Sequence, residues 1–188
     1  MNPVFSYIYQ HPLFSEEDLK KLSESHIRVE FKKGDFLLKE GETSDEYYLL
    51  EEGLVRAFVH DYDNNEITTE FFTSNEIVII PSSLFQKIPS KENLQAVTDC
   101  VLWKIEYDVF QELFHKIEAL REWGRFWFSV QVFSMKQRSL EMITESATNR
   151  YLNLMKEKPD IIKFAPLKQI ASYLGITDSS LSRIRREI

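Results

Sequence analysis

The chain has 188 residues, 43% of them hydrophobic and 28% charged, with a formal net charge of −7. That length buries one good core or two small ones, and the mixture is that of a folded chain rather than a disordered one. No run of about 18 apolar residues is present to read as a membrane helix, and Cys100, the single cysteine, leaves no internal disulfide and no cysteine cluster for iron–sulfur or zinc.

The opening residues MNPVFSYIYQHPLF lack a basic start, a continuous apolar stretch and a small-residue cleavage site. They predict a chain that is not exported and works in a reducing cytoplasm. A short helix over Glu16–Ser23, acidic in its first turn, follows. Residues 27–105 then read as short strands: IRVEF, DFLLKE, EYYLLEEG, LVRAFVHD, ITTEFFT, EIVIIP, NLQAVTD and CVLWKI. Turn formers separate them, among them Gly34-Asp35, Gly41, Gly53 and the DYDNNE segment, where Asn tolerates a positive φ. A strand about every ten residues predicts a sandwich, roll or barrel rather than a parallel sheet with crossover helices.

From Tyr107 the apolar period changes to three and four, and a single helix is expected through Ile143. Leu113, Phe114, Ile117, Leu120, Trp123, Trp127 and Val130 form one stripe, and Phe126, Val130, Phe133, Gln137 and Leu140 a neighbouring one. A helix apolar nearly all round needs two buried surfaces. One can face the strands; the same helix of a second copy can supply the other, in a two-fold homodimer. Leu120, Trp123, Trp127, Val130 and Ser134 are the candidate interface residues. ATNRYLNLMKEKP then reads as a short helix ended by Pro159, and DIIKFAP as extended.

Charge is uneven along the chain. Residues 145–188 carry eight Lys/Arg against five Asp/Glu, a net of +3, which leaves −10 on the remainder. Such asymmetry points to a nucleic-acid partner at the basic end. The same end holds PLKQIASYLGITDSSLSRIRREI, which fits a helix-turn-helix over Leu167–Leu174 and Asp178–Ile188. Ala171 is small where the helices must cross, and Gly175 suits a left-handed turn. Ile170, Leu174, Ile176, Leu181 and Ile184 fall on inward positions, and Thr177 can cap the second helix. In such a unit the second helix enters the major groove of double-stranded DNA. Candidate DNA-binding residues are Lys168, Thr177, Ser179, Ser180, Ser182, Arg183, Arg185 and Arg186. Arg183 is the candidate for bidentate recognition of guanine, whereas Lys168, Arg185 and Arg186 suit phosphates. Asp178 suits the first turn of its helix.

Strands, a long helix and a terminal helix-turn-helix, in that order, resemble the cyclic-AMP receptor protein and fumarate–nitrate regulator (Crp/Fnr) family. KKGDFLLKEGETSDEYYLLEEGLVRAFV looks like its β-roll signature, and ATNRYLNLM like the helix leading into its DNA-binding domain. The resemblance implies an α+β fold: an N-terminal cyclic-nucleotide-binding-like β-roll (a jelly roll) over 1–115, a long connecting and dimerisation helix over 116–143, and a winged-helix-type helix-turn-helix over 144–188. It implies a cytoplasmic, homodimeric regulator that binds palindromic operators, with RNA polymerase as a further partner. Nucleotide-binding members have a Gly-Glu pair for the ribose and an Arg for the cyclic phosphate. Here the corresponding segments read Ser74-Asn75-Glu76-Ile77 and Pro89-Ser90-Lys91-Glu92. Asn75, Glu76, Ser90 and Lys91 are therefore the candidate ligand residues, but glycine is lost and Lys91 lacks the guanidinium fork. No cyclic nucleotide, metal or other cofactor is expected, and a small-molecule effector stays unidentified. A module acting through protein partners is the alternative. A cupin-type metalloenzyme would need two or three converging histidines, and His11, His26, His60 and His115 stand far apart in sequence, so no catalysis is expected.

Overall fold

The computed structural model describes residues 1–188. Two helices lead: α1 (Pro3–Ile8) and α2 (Glu16–Glu24). In α1, Asn2 accepts from the Val4 amide and Pro3 sits in the first turn. Too short to show a period, it is absent from the expected elements although its cap and proline were readable. Ser15 and Asp18 form a capping box at the start of α2.

Eight strands follow: β1 (Ile27–Phe31), β2 (Phe36–Leu38), β3 (Glu46–Glu52), β4 (Val55–His60), β5 (Glu66–Phe72), β6 (Ile77–Val78), β7 (Asn93–Ala96) and β8 (Cys100–Glu106). They form two antiparallel sheets with orders β1-β8-β3-β6 and β2-β7-β4-β5. One core fills the space between the sheets, from Tyr48, Leu50, Val55, Val78, Leu94 and Leu102 among others. The alternate residues of β3, Tyr47 and Leu49, point the other way into a core shared with helices. EYYLLEE is apolar without alternation because this strand is covered on both faces. Within EIVIIP only two residues pair as β6, because Pro81 opens helix α3 (Pro81–Gln86).

The helix expected over 107–143 is two. α4 (Tyr107–Lys116) stops at Ile117, whose φ of −105° and ψ of 109° are extended, and α5 runs from Glu118 to Thr144. Ile117 is buried, and Arg121 donates to the carbonyls of Phe114 at 3.2 Å and His115 at 2.8 Å, so the carbonyls freed by the break are met. Leu120 and Trp123, expected at a dimer interface, lie in the core of their own chain with Val4, Phe5, Ile8 and Tyr9. Trp123 even donates its indole N–H to the Ile8 carbonyl at 2.8 Å. They face inward because α1, unread in the sequence, supplies the covering surface.

The C-terminal unit is helical throughout: α6 (Ala147–Glu157), α7 (Pro159–Phe164), α8 (Leu167–Tyr173) and α9 (Asp178–Glu187). DIIKFAP, expected as extended, forms most of α7. Pro159 sets its first turn, Asp160 suits its N-terminus and Ile161 is fully buried, so the proline that ends α6 also starts α7. No strand follows Glu106, so the strands of a wing are not among the elements. Leu54, Phe71 and Val97 of the β-roll share one core with Tyr151, Leu154, Ile161, Ile170 and Leu174, which docks this unit on it.

Candidate nucleic-acid interface and sensor pocket

The pair α8–α9 is built by local rules. Gly175 adopts φ +67°, the Ile176 amide donates to Ala171 O at 3.0 Å and the Gly175 amide to Ser172 O at 3.1 Å, a Schellman ending for α8. Thr177 Oγ1 then accepts from the Ser180 amide at 3.2 Å and caps α9. Ala171 and Leu181 are fully buried, with Ile170, Leu174 and Ile184 nearly so, and these hold the two helices together. A Cβ at position 175 would lie 2.6 Å from the Met142 methyl. Gly175→Ala is therefore expected to cost about 1–2 kcal/mol from the left-handed backbone alone, measured as a lower urea midpoint with unchanged m. An unchanged midpoint would show that this turn relaxes freely.

With Leu181 and Ile184 inward, the opposite face of α9 carries Ser179, Ser182, Arg183 and Arg186, and all but the half-buried Ser182 are exposed. Arg186 Nε donates to Ser182 O at 3.2 Å, so this guanidinium is held along the helix. Arg185, also exposed, and the half-buried Ser180 flank that face, and Thr177 is engaged as the cap. Lys168 stands apart, on α8 beside a polar cavity of about 130 Å³ that Arg56 and Glu66 of the sheet share.

Two basic residues counted in the C-terminal excess are engaged elsewhere. Arg150 donates to the carbonyls of Glu145 at 2.6 Å and Leu174 at 2.9 Å, and Lys158 pairs with Glu76 at 2.7 Å. Arg138, which sequence reasoning passed over, donates to Tyr173 O at 3.2 Å and to Thr69 O, and its guanidinium lies 3.9 Å from the Tyr173 ring centroid. These cations fasten the C-terminal unit to α5 and the β-roll. Burial among them holds the Glu70 carboxyl above its usual range, against the pull of Lys158 and Arg138.

The four expected ligand residues lie in two turns, each held by its own hydrogen bonds. Asn75 takes φ +69° and its amide donates to Leu50 O at 2.7 Å, while Glu76 accepts from Thr73 N at 2.7 Å and pairs with Lys158. Ser90 belongs to another corner: its amide donates to Glu42 O, its carbonyl accepts from Gly41 N, and its hydroxyl donates to Glu92 O at 2.7 Å. The Lys91 side chain is exposed beside it. Glu92, bonded to Thr69 Oγ1, adds a negative charge where an anionic ligand would need a cation. No three His, Cys, Asp or Glu side chains converge on one point. Cys100 is buried with its thiol bonded to Leu54 O, and burial pushes its pKa up, which leaves an unreactive thiol.

Residues 28–116 match the model of the cyclic nucleotide-binding domain. The match covers 89 of the 188 residues. The domain takes in all eight strands and α4, and α5 and the C-terminal helices lie outside it. No curated protein matches the sequence. Among solved structures, the c-di-GMP-responsive global regulator CLP of Xanthomonas campestris is 15% identical, with a TM-score of 0.69 over 92% of this chain and 91% of that one. The Thermus thermophilus catabolite activator protein is 16% identical, with a TM-score of 0.61 over 99% of this chain and 86% of that one. A Crp/Fnr-family regulator from Eubacterium rectale is 17% identical, with a TM-score of 0.71 over 95% of this chain and 86% of that one. The resemblance to Crp/Fnr regulators thus extends from the cyclic nucleotide-binding domain through the long helix. These three are regulators rather than enzymes, and no helix of the chain is long and apolar enough to cross a membrane.

Proposed function

We propose that this chain is a homodimeric, sequence-specific DNA-binding transcription regulator, in which α8 and α9 form a helix-turn-helix and the β-roll is the sensor. The observation that carries the reading is the outer face of α9, where Ser179, Ser182, Arg183 and Arg186 stand opposite the buried Leu181 and Ile184. A helix so presented meets base edges in the major groove: Arg183 reads guanine O6 and N7, the serines donate or accept, and Arg185, Arg186 and Lys168 position the unit on phosphates. Residues 1–115 act as sensor, 116–143 as connector and 144–188 as reader, and recruitment of RNA polymerase is the route from operator to transcript.

Dimerisation is argued from α5 beyond Trp127. Phe126 and Phe133 are 59% and 70% exposed, and Val130 and Leu140 extend the same apolar face of the helix. An apolar surface of that extent marks a protein interface. A second copy of α5 would cover it, with Val130 and Ser134 in the seam and Trp127 at its margin. We take the effector not to be a cyclic nucleotide, since Glu76 is paired with Lys158, Lys91 lacks the guanidinium fork and Glu92 stands beside Ser90.

The test is selection of genomic fragments by purified protein at one stated salt concentration. A palindrome with half-sites about 34 Å apart is expected to be enriched, and Arg183→Ala to bind it about 10- to 100-fold more weakly. Enrichment of nothing beyond a salt-sensitive background, with the dimer intact, would overturn the reading.

A further inference from the structure

An apolar cavity of about 240 Å³ opens between the helical face of the β1-β8-β3-β6 sheet and helices α3, α4 and α5. Ile77 and Ile79 form its floor. Phe85 of α3 and Phe128 of α5 meet edge to face across one side, with centroids 5.4 Å apart. Trp127 closes another side, stacked on Trp123 at 6.2 Å and an interplanar angle of 23°. Of the eleven lining residues nine are hydrophobic and none is charged, so this cavity has nothing to neutralise a phosphate or a carboxylate. The Tyr47 hydroxyl is already bonded to Tyr9 at 2.8 Å and the Trp123 indole to Ile8, which leaves the Gln111 amide as a neutral polar group at the rim.

We infer that this cavity is the effector site of the β-roll and takes an uncharged aromatic molecule of about two fused rings. Size sets the number of rings: a dry protein cavity of about 150 Å³ accepts benzene, and this one is larger by roughly another ring. Aromatic walls and the lack of charge set the chemistry, since edge-to-face and stacked contacts favour a planar guest and an ion would be stranded without a partner. The four residues expected to hold a ligand from the sequence take no part, so this is a separate site. Its position gives it a consequence. Trp127 and Phe128 belong to α5 beside the exposed apolar stretch, whereas Ile77 belongs to β6 and Ile79 follows it in the β-roll. A guest bound between them favours the arrangement of α5 on the β-roll that encloses it. The inference deepens the sensor part of the proposed function, but ligand binding is measured without DNA, so the two can fail separately.

The experiment is a titration of the full chain with indole, read by isoleucine methyl NMR and by calorimetry, with cyclic AMP as the comparison ligand. Indole is expected to shift the Ile77 and Ile79 methyl signals, with a Kd of about 100 µM or tighter, a value within reach of so small a ligand. Cyclic AMP is expected to move neither. Ile79→Phe fills the cavity floor and should weaken indole at least about tenfold, as one lost buried contact of that size does, while Lys91→Ala leaves it unchanged. Should Ile79→Phe fail to fold, Gln111→Trp narrows the mouth from the half-exposed face of α4 and should act alike. Ile77 and Ile79 signals unmoved at saturating indole, or binding unaltered in a folded cavity variant, would overturn the inference.

Discussion

Replacing Phe71 with alanine is expected to destabilise the protein by about 3–5 kcal/mol, the range for losing a fully buried phenylalanine. Its ring is 0% exposed on β5 and meets Tyr173 of α8 edge to face, with centroids 5.2 Å apart. It sits in the core that the β-roll shares with α6, α7, α8 and α9. The cavity left behind cannot collapse easily, because the surrounding Leu154, Ile161 and Leu174 are held on separate helices. The loss falls on the junction as well as on global stability. Hydrogen exchange is expected to quicken in α6–α9 more than in β3 or β8, whose core does not include this ring. A urea midpoint unchanged from wild type, or exchange quickened equally throughout, would show that the C-terminal unit does not depend on this contact.

The second large effect is acid instability seated at His26. This imidazole is 6% exposed, packed against Phe5 and bonded at both nitrogens. Nδ1–H donates to Leu22 O at 2.7 Å, which fixes the tautomer, so Nε2 accepts from the Tyr9 hydroxyl at 3.2 Å. Tyr47 in turn donates to Tyr9 at 2.8 Å. Burial lowers the His26 pKa to about 4, partly offset by the Leu22 carbonyl. The folded protein therefore binds fewer protons than the unfolded chain between the free-histidine value of about 6.5 and that lowered value. Stability should be flat above the upper limit and fall by about 3 kcal/mol across the window as pH drops. His26→Asn should be less stable at neutral pH and lack most of that slope. Glu70 titrates with the opposite sign, since a raised carboxyl pKa adds stability as pH falls, so the difference between wild type and variant isolates His26. Urea midpoints from pH 7.5 to 4.5 measure it, and equal slopes in the two proteins would refute the assignment.

What the sequence alone determined is what a few adjacent residues can specify. Each strand-rich run contains one strand, since side-chain period and turn formers are local properties. The α8–α9 pair was readable to within a residue at each end, because a positive φ at Gly175, a hydroxyl cap at Thr177 and inward apolar positions all lie within one short stretch. Family resemblance was legible on the same ground, through the order of such elements.

Tertiary structure decided everything that depends on which distant surfaces meet. The apolar circumference of 107–143 shows that two partners are needed, but not that α1 and the β-roll take Leu120 and Trp123 while Phe126, Phe133 and Met135 are left outward. The Ile117 break follows from that packing, as its buried side chain and the Arg121 cap hold a backbone turn that no proline marks. Glu76 read as a ligand candidate because its partner Lys158 lies 82 residues further along the chain, and Arg150 read as basic surface because its carbonyl partners lie at the ends of other helices. The aromatic cavity is the clearest case. Its walls come from β3, β6, α3, α4 and α5, and apolar residues in sequence announce burial without saying where packing stays incomplete, because a void belongs to the fit between surfaces rather than to any one of them.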